Sequence, residues 1–279
     1  TIVLVAPLLT FARALPYPLQ LSWDDGRFVA DNPDVQRVSA AALARMFSQV
    51  QFEAYHPLHL LSYWLDVPWF GVNALAIHAV SLALWTIAAL LVYRLFRALQ
   101  LAPWPAAAGA LLCALHPIQV EAVSWASGRK DALALLLSAA SLGVYVRARS
   151  LREATTWIAF ALYGLALLAK TSALPLPLFM LALDIVVRRC SWREALARLA
   201  PLFVLAAAVG AAVVSIWSEN TMLRTTLGGP ELAPLRWLQT VGHQLLSAVW
   251  PARSAPMYAA TRVAQFDAVR AGAVLIYLL

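Results

Sequence analysis

The sequence predicts an all-α fold: a polytopic bundle of transmembrane helices with a short amphipathic helix in its first outer loop. Three observations predict it. The 279-residue chain is 62% hydrophobic and only 13% charged, with a mean hydropathy of +0.72. Soluble domains carry about a quarter charged residues, and packing in water cannot hide this much apolar surface. Long apolar segments recur along the chain, and arginines collect in every second connection between them.

The apolar segments run roughly over 1–21, 72–93, 103–115, 131–146, 155–169, 172–187, 199–217, 237–250 and 268–279. Several fall short of the ~20 residues a straight span needs, so tilted, broken or partly inserted helices are expected. The 11 Trp and 8 Tyr supply interfacial anchors, and the 16 Pro supply breaks. One set of connections holds Arg94 and Arg97, then Arg147, Arg149 and Arg152, then Arg188, Arg189, Arg193 and Arg198. The positive-inside rule assigns these to the cytoplasm. Connections 22–56, 116–130, the region near 170 and 218–236 then face outward. Within the first of them, 38–50 reads as an amphipathic helix capped by Ser39. Val38, Ala42, Met46, Phe47 and Val50 share one face, and Arg45, Ser48 and Gln49 the other. It either lies flat on the membrane or packs on the bundle.

The net charge of +7 is scattered between apolar segments and forms no stripe, so no nucleic-acid partner is expected. Cys113 and Cys190 make neither a disulfide framework nor a metal spacing. No signal-peptide cleavage pattern and no repeat of fixed period is visible. The chain opens on Thr1 and closes within "AGAVLIYLL", so one domain over 1–279, incomplete at both ends, is expected.

Polar residues concentrate at predicted outer ends. "SWDDGRFVADNPDV", 22–35, carries Asp24 and Asp25 in a chain with only 14 acidic residues. Trp23 and Phe28 flank the pair, placing it at interface depth; the alternative is a solvated helix end. "HPIQVEAVSWASGRKD", 116–131, adds His116, Gln119, Glu121, Arg129, Lys130 and Asp131. His116-Pro117 ends the incoming helix and Gly128 permits a turn before the next. Arg129 and Lys130 beside free N–H groups at that helix start make an anion site, or else simply cap a hairpin. Lys170 follows an apolar run. With Lys130 it is one of two lysines among 21 basic residues, and a compact ammonium suits a phosphate oxygen as well as it suits snorkelling. His56, His59 and His78 supply no metal-ligand set, and an ion pair with Arg188 and Arg189 accounts for Asp184.

"WDDGRFVADNPDV", "YHPLHLLSYWLD", "ALHPIQVEAVSWASGRKDAL", "LLAKTSALPLPLFMLALD" and "WPARSAPMY" occur in the order found in the TMTC proteins and their bacterial relatives. From about residue 20 to 258 the chain resembles this family of membrane O-mannosyltransferase-like proteins with tetratricopeptide repeats. The resemblance implies a glycosyltransferase-C (GT-C) fold. It also implies transfer of a sugar, mannose by family inference, from a polyprenyl-phosphate carrier to a protein, glycan or lipid acceptor. The active site is then expected on the periplasmic face of a bacterial inner membrane.

In that fold an acidic residue of the first outer loop is catalytic, which maps onto Asp24 and Asp25. The family's cations map onto Arg129, Lys130 and Lys170 as ligands of the donor phosphate. Glu121, His116, His56 and Tyr258 complete the candidates for acceptor or metal contact. The paired carboxylates and Glu121 could hold a divalent cation, although nothing in the spacing demands one. Two departures stand out. Animal members commonly have Lys-Glu where this chain has Lys170-Thr171, and tetratricopeptide repeats, if present, lie beyond Leu279. Inverting transfer needs a base for the acceptor hydroxyl and positive charge for the leaving phosphate, and the Asp pair with these cations supplies both. A transporter or lipid flippase, or a non-catalytic scaffold, is the competing class; against transport, the chain shows no pair of similar halves.

Overall fold

A computed structural model describes residues 1–52, 54–148, 150–218 and 233–251. Arg149, most of the outer connection 218–236, the segment 268–279 and Tyr258 lie outside the described residues. The described fold is all-α, as predicted; its one extended pairing is an isolated antiparallel bridge between Gln51 and Ala54.

The α-helices among the described residues are α1 (Ile2–Phe11), α2 (Pro33–Gln36), α3 (Ala40–Ser48), α4 (Pro57–Ser62), α5 (Val67–Phe70), α6 (Ala74–Ala98), α7 (Pro103–Leu115), α8 (Val120–Ser124), α9 (Arg129–Tyr145), α10 (Ala154–Ala169), α11 (Leu176–Ala182), α12 (Trp192–Ser218) and α13 (Ala233–Val249). The chain clusters into two compact units, Thr1–Val214 and Ser215–Leu279. Of the second unit α13 is the main described element, and everything below concerns the first.

Local chemistry sets the boundaries. α1 gives way to a short 3-10 turn over Ala12–Ala14, and the chain stays non-helical through Pro16 and Pro18. α7 stops at Leu115 because His116 precedes a proline and takes an extended ψ of 135°. Asn73 caps α6 by accepting from the Ala76 N–H at 3.2 Å, and Ser39 caps α3 by accepting from Ala42 N–H at 3.1 Å. Gly128 ends the 3-10 turn Ala126–Gly128, and a Cβ there would meet the carbonyl oxygens of Ala122 at 2.7 Å and Glu121 at 2.8 Å. Only glycine lets α8 and the start of α9 come this close.

Among the described residues two helices are long and apolar enough to cross a membrane, Ala74–Ala98 and Trp192–Ile216. Pro103–Leu115 with Pro117–Ser124, bent by 48°, makes a third if the pair counts as one span. α9 packs against both α6 and α10, and α6 also packs against α1 and α7. Small side chains permit close approach: Ala89, Ala107, Ala110, Ala114 and Ala139 are all buried in one cluster with Val3 and Val92. A second cluster joins Tyr145, Phe160, Tyr163 and Met180 to Leu199 and Leu202. Outward, Leu9, Leu112, Val186, Val204 and Val214 are exposed, which is the surface a lipid solvent requires.

α3 packs on the protein through buried Ala42 and Met46, the second of the two expected arrangements. Of its predicted apolar face, Val38, Phe47 and Val50 stay exposed. Arg45 on the polar side pairs with Asp34 at 2.5 Å.

The predicted outer and inner connections segregate. At one end of α9, the 22–31 region, the 126–131 region and Lys170 are bonded together. At the other, roughly 25 Å away along a 17-residue helix, fully buried Asp184 accepts from Tyr145 Oη at 2.7 Å and pairs with Arg188 at 2.6 Å and Arg198 at 3.4 Å. Arg188 also donates to the carbonyls of Tyr145 and Ala148. The expected Asp184 ion pair is therefore present, with Arg198 rather than Arg189 as the second cation.

Candidate functional site

The polar site lies at the first of these ends. Asp24 and Asp25 sit in a helical turn, with φ −65° and ψ −34° at Asp25. Helical neighbours are turned about 100° apart, so the two carboxylates part company. Asp25 is 1% exposed. It accepts from Gln20 N–H at 2.9 Å, Ser127 N–H at 2.8 Å and Ser127 Oγ at 2.5 Å. The two bonds from Ser127 pin the first loop to the turn before α9 and the Gln20 bond holds the loop on itself, a fixed role that leaves little of the carboxylate for chemistry. Asp24 has a side chain 43% exposed and meets Lys130 Nζ at a loose 3.5 Å.

Lys130 projects between aromatic rings, its Nζ 5.3 Å from the Phe28 centroid and 5.8 Å from that of Trp125. Trp23 in turn stands edge-on to Trp125, centroids 5.8 Å apart. Lys170 pairs with Asp131 at 2.5 Å, and both side chains keep about a third or less of their surface open. Asp131 lies in the first turn of α9, where the helix dipole favours a carboxylate. Glu121 is exposed on α8, within electrostatic reach of Lys130, Lys170 and Asp131.

Arg129 requires a correction. The sequence placed it on the donor phosphate, but the structure buries it completely. Its Nε donates to Ser81 Oγ at 3.0 Å. One terminal nitrogen donates to the Ser62 carbonyl at 3.1 Å and to Asp66 Oδ1 at 3.2 Å. The other donates to Asp66 Oδ2 and to the Ile77 carbonyl at 2.8 Å. A guanidinium has five N–H groups, and all five are used. Arg129 also stacks over Tyr63 at 4.4 Å. It is an internal brace between α9, α6 and the 62–66 turn, with no donor left for a ligand.

His116 caps the turn after α7, its Nδ1 accepting from Ile118 N–H at 3.2 Å. His56 precedes α4, and burial, then Lys130 and Lys170, lower its pKa to about 4. His59 is fully buried and burial holds its pKa well below the usual value. Among the described residues no three His, Cys, Asp or Glu side chains converge on a point that would hold a metal ion. The structure thus brings Asp24, Lys130, Lys170 and His56 to one end with Glu121, and leaves Arg129 and His116 in structural roles. Tyr258 lies outside the described residues. Sequence reasoning named Asp131 without a role, set His59 aside as no metal ligand, and passed over Asp66. Asp66 closes the motif "YHPLHLLSYWLD", and a carboxylate ending an apolar run in a chain so poor in acids was the available signal.

Comparison with known proteins agrees with the motifs. The chain is 26% identical over 142 residues to the protein O-mannosyl-transferase F38B6.6 of Caenorhabditis elegans, a stretch covering 46% of this chain. It is 33% identical over 146 residues to the mouse protein O-mannosyl-transferase TMTC1, covering 47% of this chain. Over that stretch the chain is TMTC-like. The matched segments make up 20% and 16% of those relatives' lengths. No family profile matches the chain, and no solved structure does.

Proposed function

We propose that this chain forms the membrane part of a GT-C-type glycosyltransferase. It moves a sugar from a polyprenyl-phosphate donor to an acceptor hydroxyl on the non-cytoplasmic side of a bacterial inner membrane. The observation that carries this reading is a half-exposed carboxylate, Asp24, paired with Lys130 beside aromatic rings, with Lys170 paired to the neighbouring Asp131, at the ends of apolar helices. The names of the two relatives favour mannose as the sugar and a protein hydroxyl as the acceptor.

In this mechanism Asp24 accepts the proton of the acceptor hydroxyl. The acceptor oxygen bonds to the anomeric carbon from the face opposite the phosphate. The bond from that carbon to the phosphate oxygen breaks, and its electron pair leaves with the polyprenyl phosphate. Lys130 and Lys170 balance the charge that develops there. A phosphate competes with the 3.5 Å contact between Lys130 and Asp24, so donor binding draws the ammonium away and frees the base. Asp25 holds the loop in register through Ser127.

The test is incubation of purified protein with a mannosyl-phosphate polyprenyl lipid and a Ser/Thr peptide. Acceptor-dependent release of polyprenyl phosphate is expected. Movement of the lipid between leaflets without release would instead mark a flippase.

A further inference from the structure

Three buried polar atoms near Lys130 have no hydrogen-bond partner: His59 Nδ1, His56 Nδ1 and Trp125 Nε1. Buried polar atoms are nearly always bonded, so each marks a place where something else belongs. Their donor and acceptor characters follow from the bonds around them. The Tyr63 hydroxyl donates its one proton to the Ala126 carbonyl at 3.1 Å, because a carbonyl can only accept. The contact of 3.0 Å between Tyr63 Oη and His59 Nε2 must then run from the imidazole to the hydroxyl. His59 therefore carries its proton on Nε2 and presents a bare lone pair at Nδ1. Both residues are wholly buried, so this tautomer is fixed by the core. Trp125 Nε1 has only a proton to offer.

These atoms lie around the proposed phosphate site. Lys130 stands over the Trp125 ring and over Phe28, and Phe28 is 5.3 Å from the His59 ring, edge to face. His56 is within electrostatic reach of both Lys130 and Lys170. A single partner serving these atoms would have to both donate and accept, at more than one point, beside aromatic faces and an ammonium. A sugar ring has this chemistry: each hydroxyl donates and accepts, and its C–H faces lie against aromatic rings.

We infer that His59 Nδ1, His56 Nδ1 and Trp125 Nε1 form the hydroxyl-reading wall of a hexose subsite next to Lys130. A donor hydroxyl gives its proton to His59, and another accepts from Trp125. The inference rests on the reading of Lys130 and Lys170 as ligands of the carrier phosphate.

The experiment measures binding of two probes to purified protein: a short-chain polyprenyl phosphate, and the same lipid carrying mannose. His59→Gln keeps a donor toward Tyr63 but removes the Nδ1 acceptor. Trp125→Phe keeps a ring and removes the N–H, at a residue that is not fully buried. The parent is expected to bind the mannosyl lipid more tightly than the bare one. Each variant is expected to shrink that margin roughly three- to tenfold, with the loss falling on the mannosyl lipid more than on the bare one. Equal losses for both lipids would make the residues packing elements, and an unchanged margin would mean the orphan atoms hold water only; either overturns the subsite. If the parent binds neither lipid, the carrier reading falls, and the subsite with it.

Discussion

Replacing Arg129 separates a brace from a phosphate ligand. Its side chain is fully buried, donates to five acceptors and neutralises Asp66, which is itself fully buried. Removing one partner of such a pair leaves an uncompensated charge and costs about 3–5 kcal/mol. Asp66→Asn should therefore destabilise the protein by about that amount. Arg129→Met strands the Asp66 carboxylate and should do the same. For a chain of this size each kcal/mol moves the thermal midpoint by about 2–4 °C, so a fall of roughly 6–20 °C is expected in detergent. The double variant Arg129→Met with Asp66→Leu removes both charges and should recover much of the loss, because it strands neither. The assay is thermal unfolding alongside affinity for a polyprenyl phosphate under conditions where each variant is folded. Unchanged stability with lost lipid affinity in Arg129→Met would refute the brace and return Arg129 to the phosphate.

Other predictions follow from the same geometry. Lys170→Met breaks a partly exposed pair with Asp131, so stability should change by about 1 kcal/mol or less. Donor affinity should nevertheless fall about ten- to a hundredfold, read as a donor KM. His56 titrates near pH 4 when folded and near 6.5 when unfolded, so the unfolded chain binds the extra proton between those values. Stability should hold above pH 6.5 and fall as pH drops toward 4, and His56→Gln should flatten that slope in denaturation series. With Cys113 and Cys190 changed to Ser, Cys at exposed Val38 should react with an impermeant reagent in intact cells and Cys at Leu151 should not; equal labelling would contradict the topology.

The fold was legible where its signals are local. Ser39 and the His116-Pro117 break act on their own neighbours, and Arg188 reaches Asp184 one helical turn away. Every apolar segment within the described residues became helical over most of its length, because hydropathy at this density leaves little else in a bilayer. The site was legible only in part. Arg129, Lys130 and Asp131 are consecutive, and nothing in their spacing says which faces inward. That depends on a 100° step per residue and on Asp66 and Ser81, which lie 63 and 48 residues away. Asp24 and Asp25 pose the same problem: Ser127, 102 residues distant, takes one carboxylate and leaves the other. The His59 tautomer is further removed still, since it depends on where the proton of the Tyr63 hydroxyl goes.

The central claim is that Asp24 takes the acceptor proton while Asp25 holds the loop. The most direct measurement is single-turnover transfer from a mannosyl-phosphate polyprenyl donor to a peptide, with donor affinity measured beside it. Asn keeps the shape of Asp but cannot serve as the base, so Asp24→Asn should lose about 100- to 10,000-fold in rate with donor affinity nearly intact. Asp25→Asn should act first on stability, because its three inward bonds weaken. An Asp24→Asn protein that is folded, binds donor and turns over at the parental rate would contradict the account.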